Sequence, residues 1–265
     1  MASERAGRGM PIMAKNDETR RGLWDLARAH RILDLEGHND MSLGHCSMRD
    51  PWERGVWLKR GNIGLEEVRE DDFILLDFEG NILAGDGVRH LEWPIHTEVL
   101  RARPDLHFVC HTHPHWATLF SCTREKLQPL TNEGCWFTVP PPHYLTTSDL
   151  IDTPQLGRDL AECLGRGEAA FLRNHGILSV GRTVKEMTLC AIFLEKACRA
   201  QLRLGASGFK YSAPPADEVE KKRKNIYPKR AIDNFWDYYN RRLDRIEGRK
   251  ADGQQTKGEF LLKAR

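Results

Sequence analysis

The chain lacks several features that would assign it to a specialised class. No apolar run approaches the roughly 20 residues of a membrane-spanning helix, and no segment resembles a signal-peptide core. The seven cysteines are odd in number and contain no C-x-x-C pair, which argues against a disulfide framework and a zinc knuckle. The 40 basic and 38 acidic residues nearly cancel, so overall charge does not favour nucleic acid. These absences predict a soluble, cytoplasmic protein with reduced thiols that acts on a small molecule.

The 265 residues are 40% apolar and 29% charged, which is enough apolar content for a buried core. Helical spacing of apolar residues predicts a helix over residues 18–35 and another over residues 183–204 that ends at Gly205. Shorter helices are expected over residues 93–103 and 116–121. The segments between them predict strands, which lie near residues 41–49, 55–59, 73–77, 82–83, 106–113, 169–174 and 177–180. This pattern favours one mixed α/β fold.

Domain organisation follows from the absence of repeats and of long linkers. We expect a flexible arm over residues 1–17, one domain over residues 18–210 and a helical tail over residues 211–265. From residue 216 the chain has 14 basic and 9 acidic residues, a surplus that we interpret as a solvated helix face. Four aromatic residues in this tail need a surface to pack on, and a neighbouring subunit is a candidate: Phe235, Trp236, Tyr238 and Tyr239.

Eleven histidines are the main compositional feature, because imidazole is the commonest metal ligand. His111-Thr112-His113 ends a predicted strand, where alternate side chains share a face about 6.5 to 7 Å apart and reach one ion. Alone, such a pair is more often two ordinary surface or hydrogen-bonded histidines than a metal site. His115 follows Pro114, which breaks the strand, and is expected in the pocket rather than as a ligand. Four others carry no signal and are expected at the surface or in turns: His30, His38, His107 and His143.

Two further residues complete a candidate ligand set. His175 precedes Gly176 at the end of another strand, where the glycine allows a sharp turn that points the imidazole into a cavity. Glu92 begins the helix that leads to the histidine pair, where the helix dipole favours a carboxylate, although it could be only an N-terminal charge. Three imidazoles and one carboxylate suit Zn, Mn, Fe or Co.

The ordered combination of motifs resembles the class II aldolase/adducin family over residues 23–204. The motifs are Glu92-Trp93, Arg103-Pro104-Asp105, His111-Thr112-His113, Asn174-His175-Gly176, Gly181 and Leu194-Glu195. The resemblance implies a three-layer α/β/α fold around a central, mainly antiparallel sheet, and a homotetramer with active sites between subunits. It also implies that His111, His113 and His175 bind a divalent metal, with zinc or manganese favoured, and that Glu92 is a ligand, an acid/base, or both.

Departures from the family pattern concern the substrate. Where sugar-phosphate aldolases of this family hold phosphate with small hydroxyl residues, this chain has Gly44-His45-Cys46-Ser47, Asp77-Phe78-Glu79-Gly80 and His90-Leu91. Acids and imidazoles at these places predict a substrate without phosphate. The run over residues 44–51 resembles a branch that includes decarboxylases of hydroxylated aromatic or pyridine carboxylates, and a related branch contains iron oxygenases.

The expected function is a divalent-metal-dependent carbon–carbon lyase acting on a carboxylated small molecule, most readily by decarboxylation of a hydroxylated aromatic or heteroaromatic carboxylate through an enolate-like intermediate. Alternatives are retro-aldol cleavage of a hydroxy or keto acid or a sugar-derived substrate, a non-haem iron oxygenase, and a non-catalytic adducin-like interaction domain. Candidate proton donors besides Glu92 are Tyr144 and Tyr239, each expected to reach in from a subunit edge. Candidate substrate-binding residues are His45, Ser47, Arg49, Arg89, His90 and His115.

Overall fold

One sheet of eight strands crosses the part of the chain that the structure describes. The computed structural model describes residues 17–249, so the arm predicted over residues 1–17 lies outside it except for residue 17, as does the end of the tail after residue 249. The strands are β1 (His45–Arg49), β2 (Val56–Lys59), β3 (Phe73–Leu76), β4 (Ile82–Ala84), β5 (Phe108–Thr112), β6 (His143–Tyr144), β7 (Ala169–Leu172) and β8 (Gly176–Gly181). The helices are α1 (Asp17–Leu35), α2 (Trp93–Ala102), α3 (His115–Ser121), α4 (Pro154–Leu164), α5 (Val184–Ser207), α6 (Ala216–Ile226) and α7 (Lys229–Ile246).

The strand order is β4-β3-β2-β1-β5-β8-β7-β6, and every pair is antiparallel except β6 with β7. Alternate residues of each strand face opposite sides of the sheet. In β3, Phe73 and Leu75 join the core under α1 and α5, whereas Ile74 and Leu76 join the core under α2 and α4. Helices therefore cover both faces, and the predicted three-layer α/β/α fold with a mainly antiparallel sheet is confirmed.

Two helices differ from the sequence-based expectation. The prediction that Gly205 ends the long helix is wrong, because α5 continues to Ser207 and ends at Gly208, whose φ of +73° is left-handed. Helix α4 was not predicted, although Thr153 caps it by accepting the Leu156 N–H and Pro154 occupies its first turn.

The tail helices pack on their own chain. Trp236, Tyr239 and Leu243 of α7 are buried in the same core as α5, and the Arg28 guanidinium of α1 pairs with Asp244 at 2.7 Å. Much of the surface that the tail aromatics need is thus supplied within the chain, while Tyr238 stays 50% exposed. Contact of this tail with a neighbouring subunit stays a prediction.

The sheet brings three distant segments to one edge. His45 at the start of β1 pairs across the ladder with His111 near the end of β5, and His111 also pairs with Leu178 near the start of β8. The turn that carries His175 immediately precedes β8, so it lies at this same edge. None of the helices in residues 17–249 is both long enough and apolar enough to cross a bilayer.

Candidate metal centre

Four predicted ligands meet at this edge of the sheet. One ligand atom from each of Glu92, His111, His113 and His175 lies within 4.8 Å of all the others. His111 and Thr112 close β5, His113 follows directly, and Glu92 immediately precedes α2. Residues separated by more than 60 positions in the chain therefore converge on one point.

The hydrogen bonds of two imidazoles select the form that binds a metal. The Nδ1–H of His111 donates to the Ile177 carbonyl at 2.9 Å, and the Nδ1–H of His113 donates to the Asp40 carboxylate at 3.0 Å. A neutral imidazole that donates from Nδ1 has a lone pair on Nε2. The two Nε2 atoms lie 3.0 Å apart, so their lone pairs would repel each other unless a cation or a proton lies between them. This donor set fits a divalent ion.

Glu92 completes the set with one carboxylate oxygen. Its Oε1 accepts the Ile151 N–H at 2.9 Å, which fixes the carboxylate. Its Oε2 lies 3.3 Å from Nε2 of His111 and 3.7 Å from Nε2 of His175. Burial by itself would raise the pKa of Glu92, but His111 and His175 together with the Ile151 N–H lower this pKa to about 2. Glu92 is therefore ionised near neutral pH and available as a ligand or a proton acceptor.

The histidines differ in their electrostatic surroundings. Burial lowers the pKa of His113 to about 3 and that of His175 to about 4, so both rings are neutral and able to coordinate near neutral pH. Burial also opposes charge on His111, yet the adjacent Glu92 carboxylate outweighs it and raises the pKa of His111. The position next to His111 and Glu92 thus favours positive charge, which is what a bound cation supplies.

A cavity of about 550 Å³ opens beside the cluster. His113 and His175 form part of its wall, so a molecule in the cavity would reach the ligand atoms. His115, the first residue of α3, also lines the cavity and is absent from the ligand set, as the sequence predicts. The remaining lining residues are Gly37, Asn39, Asp40, Thr118 and Leu119.

Three further histidines, His45, His90 and His96, lie in a group next to Glu92 and do not line the cavity. Nε2 of His45 is 4.0 Å from Oε2 of Glu92, and the ring of His90 lies over that of His45 with centroids 4.3 Å apart. Nδ1 of His45 is 2.7 Å from Nε2 of His96, whose Nδ1 is in turn 2.7 Å from the Ser47 hydroxyl. The structure thus brings His45 and His90 close to the cluster and places Ser47 one ring further away.

The structure contradicts the expectation for Arg49. Arg49 lies at the opposite end of β1 from His45, and its guanidinium donates to three backbone carbonyls, those of Leu100, Leu106 and Arg103. These bonds tie the end of α2 to the sheet, so substrate binding by Arg49 is wrong for this chain. Arg89 is exposed, donates to the Gly80 carbonyl and lies over the Trp93 ring, and its contacts do not bring it to the cluster.

Neither candidate tyrosine contacts the four ligands within the described residues. Tyr144 is 2% exposed in the core beside α4, and its hydroxyl donates to the Leu156 carbonyl at 3.3 Å. It therefore does not project from the surface of the chain, contrary to its expected role as a donor at a subunit edge. Tyr239 is buried between α7 and α5, where its hydroxyl accepts from Lys196 at 3.3 Å. A role for Tyr239 at a site of another subunit stays a prediction.

Sequence reasoning missed Asp40 and left His96 unassigned. Asp40 comes from a loop with no regular pattern, so no sequence signal points to His113 as its partner. His96 lies four residues after Glu92 in α2, one helical turn further on, which was a usable signal for the same face. Glu195 of the family motif accepts the backbone N–H groups of Trp116 and Ala117 at 3.0 and 2.7 Å, which caps α3 behind the cavity.

The fold and the cluster together define a class: an α/β protein whose sheet edge presents three histidines and one glutamate able to hold a metal ion. Residues 24–202 match the class II aldolase and adducin N-terminal domain, so the chain belongs to that family.

Known relatives span most of the chain. The meiotically up-regulated gene 14 protein of Schizosaccharomyces pombe is 29% identical over 209 residues, covering 78% of this chain and 77% of that protein. The 3,4-dihydroxyphthalate decarboxylase of a Terrabacter strain is 28% identical over 209 residues, covering 73% and 85% respectively. Among solved structures, L-fuculose 1-phosphate aldolase from Glaciozyma antarctica PI12 superimposes with a TM-score of 0.78 at 25% identity, covering 92% of this chain and 97% of the aldolase.

Proposed function

We propose that this chain is a divalent-metal-dependent carbon–carbon lyase that removes CO2 from a hydroxylated aromatic or heteroaromatic carboxylate. The observation that carries the proposal is the convergence of His111, His113, His175 and Glu92 beside an open cavity. The relationship to a decarboxylase and to an aldolase supports the same class, because both reactions break a bond to carbon and leave electrons that must be stabilised.

The proposal gives the metal cluster, Glu92 and His115 separate parts in the reaction. A divalent ion in this cluster would supply Lewis acidity at a substrate oxygen. The Glu92 carboxylate, acting as a ligand and as an acid/base in turn, accepts the proton of the substrate hydroxyl and can return it to the carbon from which CO2 departs. His115 lines the cavity where it can meet a substrate carboxylate.

One feature near the cluster supports a substrate without phosphate. His45 and His90 stand where the family resemblance places phosphate-binding hydroxyl residues, and their rings contact each other instead, tilted by 47°. The Asp77 turn, which the sequence also suggested as one of these places, lies at the opposite edge of the sheet: Leu76 pairs with Val56, and Val56 pairs with Arg49 at the far end of β1 from His45.

Turnover of defined acids tests the proposal. Metal-loaded protein is incubated with hydroxylated aromatic dicarboxylates and with 2-hydroxy and 2-keto acids, and released CO2 and aldehyde are measured separately. We expect CO2 from the aromatic acids, and a loss of more than 100-fold in rate on chelation or in His113→Ala. His107→Ala, which alters an exposed histidine, serves as the control.

Each result discriminates between candidates. Full activity after chelation contradicts the proposal. Release of aldehyde without CO2 favours retro-aldol cleavage, which the aldolase relative supports. Turnover under strictly anaerobic conditions excludes an oxygenase.

A further inference from the structure

A buried chain of hydrogen bonds leads from the sheet to Glu92. It consists of Ser47 and His45 on β1 and His96 on α2. Ser47 and His96 are fully buried and His45 is 2% exposed. The two contacts that join them, from the Ser47 hydroxyl to His96 and from His96 to His45, are each 2.7 Å long. All three side chains face inward, so the contacts do not compete with water.

The direction of donation along these hydrogen bonds follows from the end that faces Glu92. Nε2 of His45 faces Oε2 of Glu92 at 4.0 Å. A lone pair on that nitrogen would oppose the electron pairs of the carboxylate, whereas an N–H there is attracted to it. Enclosure away from water disfavours a charged imidazolium, so each ring carries one proton.

One proton on each ring then determines every bond. With its proton on Nε2, His45 accepts at Nδ1 from the Nε2–H of His96. His96 must consequently accept at its own Nδ1, and the Ser47 hydroxyl, which rotates freely, donates to it. The order of donation runs from Ser47 through His96 to His45 and ends beside Glu92.

We propose that Ser47 and His96 are positioning residues that hold His45 in its Nε2–H form, so that this N–H faces Oε2 of Glu92 and helps to hold the carboxylate beside the cluster. At 4.0 Å the attraction is electrostatic and is not a hydrogen bond. The effect on turnover rests on the proposed function, whereas the form of His45 is a property of the folded protein itself.

Nitrogen-15 NMR of the histidine rings tests the proposal directly, because it reports which ring nitrogen carries the proton. We expect Nε2–H on His45 in the unaltered protein. Ser47→Ala removes the first donor and should shift the His45 proton toward Nδ1. Ser179→Ala is the matched control, since Ser179 is also fully buried in the same sheet, on β8, but donates to the Met187 carbonyl.

Two substitutions at His96 give an independent test. His96→Gln places an amide N–H near the position of Nε2 and should preserve the Nε2–H form of His45, whereas His96→Leu should not. In steady-state kinetics, Ser47→Ala and His96→Leu should lower kcat about 10- to 100-fold with unchanged metal content, and His96→Gln should restore most of it.

The outcomes separate this inference from the proposed reaction. A proton on Nδ1 of His45 in the unaltered protein overturns it, and so does a His45 spectrum that in both Ser47→Ala and His96→Leu is unchanged from that of the unaltered protein. Because the spectra require no turnover, they decide the inference even if every acid tested is inert, a result that would contradict only the proposed reaction.

Discussion

At the scale of single residues, the hydrogen-bond partner of a ligand matters as much as the ligand. Asp40 fixes the ring of His113 by accepting its Nδ1–H, and its carboxylate also raises the basicity of the Nε2 lone pair. Asp40 does not belong to the four-group cluster itself. Its effect must therefore pass through His113.

We predict that Asp40→Ala weakens metal binding about 10- to 100-fold while the fold is retained. Competition against a chromophoric chelator measures the change in Kd. Asp237→Ala, at an exposed aspartate of α7, should leave the Kd unchanged. Equal affinities for both variants would show that Asp40 has no role in orienting His113.

The ligand residues themselves were predictable from the sequence, for identifiable reasons. A strand has a period of two, so His111 and His113 fall on one face whatever the tertiary structure is. Local signals, a glycine turn and a helix start, made His175 and Glu92 candidates, and the family resemblance then supported placing them beside the histidine pair. Ser47 and Asp40 make their contacts with segments distant in sequence, which no local pattern encodes.

At the scale of elements, α2 and α4 approach each other closely through a glycine. A Cβ atom on Gly157 would lie 2.6 Å from the Pro94 carbonyl oxygen and 2.9 Å from Cγ of Glu98. Gly205 in α5 differs, because a Cβ atom there would meet nothing within 4 Å. Close packing of the two helices therefore requires glycine at position 157, whereas packing does not require it at position 205.

We predict that Gly157→Ala destabilises the protein by about 1 to 3 kcal/mol because α2 and α4 must separate. Gly205→Ala should stabilise it by about 0.5 to 1 kcal/mol, since alanine loses less backbone entropy in a helix interior. Urea unfolding of both variants measures these changes. Similar values for the two substitutions would contradict the packing argument.

The same elements show where sequence patterns fail. Glycine ends a helix only where the backbone turns left-handed, which occurs at Gly208 and not at Gly205, and composition does not distinguish the two. The signals for α4 were present in Thr153 and Pro154, so this helix could have been predicted from its cap alone.

At the scale of the whole molecule, several histidines that were expected at the surface are interior. His30 donates from Nδ1 to the Leu26 carbonyl at 2.8 Å and accepts the Cys46 N–H at 2.9 Å, while His38 contacts the Thr112 hydroxyl at 3.0 Å. Burial lowers the pKa of both His30 and His38 to about 3. Each therefore resists protonation as long as the chain is folded.

We predict that stability falls with acidification between about pH 6.5 and pH 3. In this window the unfolded chain binds protons that the folded chain excludes, so the free energy of unfolding decreases as pH falls, by up to about 1.4 kcal/mol per pH unit for each such histidine. Urea unfolding at pH 7.5, 6.0 and 5.0, with a chelator present throughout, measures the slope. A free energy of unfolding that does not change from pH 7.5 to pH 5.0 would contradict it.

The pairing of His45 with His111 across β1 and β5 has a consequence for how this chain tolerates insertions and deletions. Because neighbouring residues of a strand face opposite sides of the sheet, a shift of β1 by one position would put the Cys46 thiol where an imidazole now stands and turn Ser47 away from His96. An insertion or deletion within β1 would therefore disrupt the site as much as replacing the residues that the strand carries.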